Sequence, residues 1–244
     1  MARESNADGI TRWASFRSNL LVLSAALFLV LTTVAMAVYP GGNYFSRLAS
    51  HYSLTLNFFS DLGATRTYAH QANAASSILF ILALVFVGIS MIVFSFNTLL
   101  IWKKKDRFML PGKVAVLLAI VSGISFIGIA AAPSNLTVVA HKMFVFFAFG
   151  SLLGYVILIT LMQFGNGWAK PYIVSNLVYA GLLVAYICIL SSGPAFRSLD
   201  GLQLGAVSQK VIVYVSILNM AIQAIGIKRH SRSLARTAAA AVPA

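Results

Sequence analysis

Residues 39–77 read YPGGNYFSRLASHYSLTLNFFSDLGATRTYAHQANAASS, and they are the longest polar interval between apolar runs in the chain. Two of the four histidines, His51 and His70, lie in it, as does Asp61, one of only five acidic residues. On its N-terminal side stands an apolar run over 18–39, on its C-terminal side another over 73–101. Each is long enough to cross a hydrocarbon core of roughly 30 Å, which takes about 20 residues as helix. The interval therefore reads as a loop between two membrane spans, and the remaining segments repeat that pattern of span and connector.

Working outward, further apolar runs cover 114–132, 141–164, 172–192 and 202–227. The chain is 59% hydrophobic and 9% charged, with a mean hydropathy of +0.87, against about 25% charged residues in soluble domains. Lipid offers the backbone no hydrogen-bond partner, so spans must be helices or a closed barrel. Their length and the absence of period-2 alternation select helices. The expected fold class is thus an all-α integral membrane protein, a six-transmembrane-helix bundle. The first run follows a short basic segment and contains Ala35-Met36-Ala37, which imitates a secretory signal with its cleavage site. It is long enough to span, and we read it as a retained first helix.

The formal charge of +13 would suit a nucleic-acid binder, but most of the Lys and Arg sit at helix ends, where they set topology and meet anionic headgroups. Residues 1–17, the 102–113 loop with Lys103, Lys104, Lys105, Arg107 and Lys113, the 165–171 turn and the tail 228–244 hold nearly all of it. Intervals 40–72, 133–141 and 193–201 hold little. Six helices with both termini cytoplasmic satisfy this distribution and predict a multi-pass protein of the cell membrane without a nucleic-acid partner. The organisation expected is a cytoplasmic segment 1–17, a membrane domain 18–227 with an extracytoplasmic lid 40–72, and a disordered basic tail 228–244. The single cysteine, Cys188, excludes an intramolecular disulfide. Gly123, Ser125 and Gly128, and the pair Gly150 and Gly154, mark close helix contacts.

The residues able to carry chemistry fall on the lid side. With a helix beginning near Thr65, His70, Asn73 and Ser77 share one face at i, i+3 and i+7, as polar groups turned to a bundle interior do. His141 opens the fourth helix, where the dipole disfavours its cationic form and leaves a neutral imidazole suited to be a base or ligand. Lys210 lies about 12 Å along the sixth helix from Leu202 at 1.5 Å per residue. An intramembrane lysine costs about 2.5–3.5 kcal/mol and demands a partner, here Asp61 or Asp200. Gln203, Lys210 and Tyr214 share its stripe. Asp61, in NFFSDLG, has the ordinary role of a turn or helix cap and the alternative one of proton acceptor. No cofactor is expected; a zinc ion held by His51, His70, His141 and Asp61 is the alternative, and the chain has no HxxxH or HExxH spacing for it.

Tyr39-Pro40-Gly41, Ser60-Asp61-Leu62-Gly63 and Pro133 followed by His141 resemble motifs of the six-helix bacterial and archaeal membrane proteins grouped as domain of unknown function 998. The resemblance covers about residues 18–227 and implies a fold but no activity, since that family's function is unassigned. A looser likeness to six-helix Frag/DRAM-type membrane proteins implies lipid-linked roles. Alkaline ceramidase-like hydrolases offer a further comparison, from which this chain departs by its helix count and by lacking their closing His-xxx-His pair.

Three functions follow as expectations. The first is binding or handling of a membrane lipid or amphiphile in the outer leaflet, with Lys210, Arg66, Asn73, Ser77 and Tyr214 as ligand contacts. The second is a membrane hydrolase using Asp61, His70 and His141. The third is a structural or accessory subunit without catalysis. Oligomeric state is not legible in the chain.

Overall fold

The structure, a computed structural model, describes residues 2–102, 106–193 and 198–240. Its regular secondary structure is helical apart from one isolated antiparallel bridge, Arg66 to Ala72, among the described residues. Helices α1 (Ala2–Ala37), α2 (Ala74–Ser95), α3 (Asn97–Trp102), α4 (Met109–Ala131), α5 (Val138–Phe164), α6 (Lys170–Ser192) and α7 (Leu199–Ala240) follow in chain order. Six of the helical segments are long and apolar enough to cross a membrane, with α2 and the start of α3 counting as one. They close a ring in which α1 packs on α2, α2 on α4, α4 on α5, α5 on α6, α6 on α7 and α7 back on α1.

Small residues set the tightest of these contacts. A Cβ on Gly88 of α2 would lie 2.6 Å from the Gly123 carbonyl, and one on Gly123 of α4 would lie 2.7 Å from that of Gly88. Gly128 and Gly154 likewise admit the Phe144 ring and the Leu118 side chain, at 2.4 and 2.9 Å from the Cβ each lacks. Gly150 meets nothing within 4 Å, so the Gly150–Gly154 pair is not one packed face.

Four boundaries differ from expectation. The N-terminal segment is not separate, because α1 is helical from Ala2, and the tail expected to be disordered continues α7 to Ala240. Both extensions have a reason in packing and propensity. Thr11 Oγ1 donates to the Ser231 carbonyl at 3.5 Å, Lys228 Nζ to Asn19 Oδ1 at 2.7 Å, and the run LARTAAA is rich in strong helix formers. The second span, expected unbroken over 73–101, is interrupted at Phe96. Finally, no helix begins near Thr65. Residues 65–72 form a tight turn in which the Thr67 N–H donates to the Gln71 carbonyl at 3.0 Å and His70 takes a φ of +61°, so His70, Asn73 and Ser77 do not share a helical stripe.

The basic intervals gather at one end of the ring. Besides the α1–α7 pairing, Arg107 donates to the Gly165 carbonyl at 2.7 Å, and His230 stacks on Trp168 with centroids 4.6 Å apart. Lys103, Lys104 and Lys105 lie outside the described residues. The opposite end carries residues 38–73, tied to the α4–α5 turn by Asn135, which accepts from the Thr65 N–H at 3.0 Å.

Candidate functional site

The loop from Val38 to Asn73 is a folded plug. Its first turn depends on glycine: Gly41 and Gly42 have φ of +109° and +85°, and a Cβ on Gly41 would fall 2.2 Å from the Ala49 carbonyl. Asn43 Oδ1 then accepts from the N–H groups of Phe45 and Ser46, which closes the next turn. A short 3-10 helix, Phe59–Gly63, carries the centre of the loop into the ring. There Phe59, 2% exposed, packs among Phe28 of α1, Phe80 of α2 and Tyr214 of α7, at centroid distances of 5.8, 6.3 and 5.7 Å. Its N–H donates to Gln209 Oε1 of α7 at 2.7 Å.

Asp61 sits in this plug, buried. Its Oδ2 accepts from the Phe58 N–H at 2.9 Å and from Asn57 Nδ2 at 3.0 Å, so the residue does cap its own short helix. Asn57 is the hub. Its Nδ2 also reaches the Gly42 carbonyl at 2.9 Å, its Oδ1 accepts from the Ser53 N–H at 3.0 Å, and its own carbonyl accepts from Lys210 Nζ. Burial pushes the Asp61 carboxyl up to about 6; the bonds from Asn57 and Phe58 and the charge of Lys210 oppose that rise without cancelling it. Burial also raises the phenols of Tyr39, Tyr52 and Tyr68, and the Asp61 charge adds to the effect.

Of the two acids expected to partner Lys210, Asp61 supplies the nearby charge, while the direct hydrogen bonds go to backbone carbonyls. Its ammonium donates to the carbonyls of Asn57 and Ala206, the latter at 3.2 Å, and lies 5.2 Å from the centroid of the Tyr52 ring. Asp61 acts on it through space. Asp200, the other expected partner, is exposed at the start of α7, on the wall of a separate cavity of about 680 Å³ between α6 and α7.

Beside the plug, between the 3-10 helix, the start of α5, the end of α6 and the start of α7, opens a cavity of about 1040 Å³. Asp61, Arg66, His70 and His141 are on its wall, with Arg47, Lys142, Tyr68, Ser208 and Gln209. Apolar side chains cover the rest, among them Val145, Phe146, Phe147, Ile189 and Leu190. The last fully buried residue of α6 is Tyr186; beyond it Ile187 still packs on the core, and Ile189, Leu190 and Ser191 border the opening.

Of the candidate residues, the fold thus brings Asp61, His70, His141 and Arg66 to one cavity. Asn73, Ser77, Lys210 and Tyr214 lie outside its wall. Asn73 instead ties the plug to α2: it precedes the helix, and its Nδ2 donates to the carbonyls of Leu62 and Ala64 at 3.0 and 2.8 Å. Ser77 is buried one turn into α2, and Tyr214 packs edge-on against Phe59. His141 is buried, with Nδ1 2.8 Å from the Ala132 carbonyl; since a carbonyl only accepts, Nδ1 carries the proton in this bond. His51 pairs with Ser50 Oγ at 2.7 Å in the exposed part of the loop and does not line the cavity. The four residues considered for zinc do not converge: among the described residues no group of three or more His, Cys, Asp or Glu is placed to hold a metal ion.

Asn57, Phe59 and Gln209 carry as much of this site as Asp61 does, and none stands out in the sequence. A polar hub and an aromatic anchor look ordinary in a loop. Gln209 adjoins Lys210 within the polar triplet Ser208-Gln209-Lys210, which is the one signal the residue order offers for it. No family model, no curated protein and no solved structure matches this chain.

Proposed function

We propose that the chain is a multi-pass protein of the cell membrane with both termini cytoplasmic, and that its large cavity takes an amphiphile from the outer leaflet. The observation that carries this reading is the two-sided wall of the 1040 Å³ cavity. Pockets for small ligands run to roughly 300–1,000 Å³, so this one is at the top of that range and admits more than a compact polar metabolite. Arg47, Arg66 and Lys142 set an excess of positive charge over Asp61 on its polar side, which favours an anionic headgroup. Phe146, Phe147, Ile189 and Leu190 supply an apolar side for acyl chains, at the end of α6. Kinship with the domain of unknown function 998 family, on the motifs at Tyr39–Gly41 and Ser60–Gly63, belongs to the same proposal.

Native mass spectrometry of the purified chain tests it. One anionic phospholipid retained per chain is the expected result, lost in Leu190→Trp, which fills the cavity from a half-open position, and weakened in Arg66→Gln. Absence of retained lipid, or retention indifferent to both changes, would sink the proposal in favour of a structural subunit.

A second reading, a hydrolase acting on the same amphiphile, is favoured by one further observation. With its Nδ1 proton committed to Ala132, neutral His141 keeps Nε2 as a lone-pair base on the cavity wall that it shares with Asp61. Fatty-acid release from added phospholipid, abolished in His141→Ala while lipid binding persists, would establish it.

A further inference from the structure

Near the basic end of the ring lies a second polar cluster, built from uncharged residues within apolar helices. Gln163 Nε2 of α5 donates to Gln223 Oε1 of α7 at 2.8 Å, and Asn176 Nδ2 of α6 donates to Gln163 Oε1 at 3.2 Å. Asn219 Nδ2 donates to Asn176 Oδ1 at 3.0 Å, and Gln223 Nε2 to the Tyr172 carbonyl and to Ser175 Oγ, each at 2.9 Å. This ladder joins three helices. It leaves Asn219 Oδ1 buried without a protein partner, and Asn97 at the break in the second span has neither amide atom paired. Asn97 is 1% exposed and Asn219 5%.

Both residues line an inner chamber of about 40 Å³, together with Thr98, Tyr155, Met91 and Met220. We propose that this chamber is a binding site for water, holding about three molecules at the roughly 10–15 Å³ each requires, bonded to Asn97 and Asn219. A dry chamber would leave three buried polar atoms without a hydrogen bond, each carrying its full desolvation penalty. The unpaired set is one amide nitrogen and two amide oxygens, and turning the Asn97 amide over still presents a donor and an acceptor. Water is both. A metal cation has no use for the amide N–H, and among the described residues the wall contains no carboxylate to balance its charge.

Radiolytic hydroxyl-radical footprinting of the wild-type chain in detergent, read by mass spectrometry, tests this. Radicals form from water beside the side chain they oxidise, and methionine is readily converted to its sulfoxide. Met91 and Met220 are 3% and 9% exposed and line the chamber; Met162 is 1% exposed and does not. Oxidation of Met91 and Met220 at least fivefold faster than Met162 is expected, and Asn97→Leu should bring the Met91 rate down to that of Met162. Equal rates at all three methionines in the wild type would overturn the proposal, with no variant needed. So would an unchanged Met91 rate in a folded Asn97→Leu chain.

Discussion

Replacing Asp61 by Asn and by Ala should separate two contributions that the wild type combines. The folded chain raises the carboxyl from 3.8 to about 6, chiefly by burial. Two pH units at 1.36 kcal/mol each make the ionised form about 3 kcal/mol less favourable in the fold than in the unfolded chain. The sign is set by proton binding. Between the two values the folded chain holds a proton that the unfolded chain has released, so the stability from this group is complete below about pH 4 and is lost as pH rises through 6. Asn is neutral at every pH and keeps an oxygen for the Phe58 N–H and Asn57 Nδ2. Against that, it deprives Lys210 of its nearby negative charge. We therefore expect Asp61→Asn at pH 7.5 to be between unchanged and about 3 kcal/mol more stable than wild type. Asp61→Ala, which abandons the Phe58 N–H, should be about 1–3 kcal/mol less stable. The assay is thermal unfolding of the three proteins in one detergent from pH 5 to 7.5. Subtracting the Asn variant from the wild type removes every other titrating group, and the difference should favour the wild type increasingly as pH falls toward 5. If Asp61→Asn unfolds below Asp61→Ala, or the difference is flat across that range, the account of Asp61 as a buried, destabilised carboxylate fails.

Lys210→Met removes the cation that favours the Asp61 carboxylate, so the midpoint of the same pH difference, measured in that background, should move above 6. Asn73→Ala strands the Ala64 carbonyl and leaves that of Leu62 to Ser76 Oγ alone, so it should lower stability by about 1–3 kcal/mol, with faster proteolysis between residues 64 and 72. Gly88→Ala and Gly123→Ala each drive a methyl group into the facing backbone and should each cost several times what Gly150→Ala does, read by thermal melting; at Gly150 the methyl meets open space.

Helix class and number are legible in the residue order alone, because lipid permits so few solutions. A run of apolar residues long enough to span has to satisfy its backbone internally, and counting such runs yields the six segments that the ring contains. Gathering of the basic intervals at one end is equally legible, since charge at span ends is a local property. Phase and termination are not. Helical spacing projected onto residues 65–77 puts His70 on an inward stripe, but the Thr67–Gln71 bond and a left-handed His70 end that register before α2 begins. Nor does composition separate a basic tail that frays from one that pairs with another helix, as Lys228 and Ser231 do with α1.

The plug over residues 38–73 shows the division most clearly. Its position outside the spans, its glycine turn and the scarcity of its acid are readable from the chain itself, because each depends on neighbours close in sequence. That Lys210 is held by the Asn57 carbonyl, 153 residues away, is not readable there. Nor is it readable that Phe59 anchors on three helices, or that Asp61 and His141 share a cavity while Asn73 does not. A buried charge requires partners, and the sequence states the requirement. Which groups meet it depends on how six helices close into a ring and how deep a folded loop descends between them, and only the tertiary structure determines that.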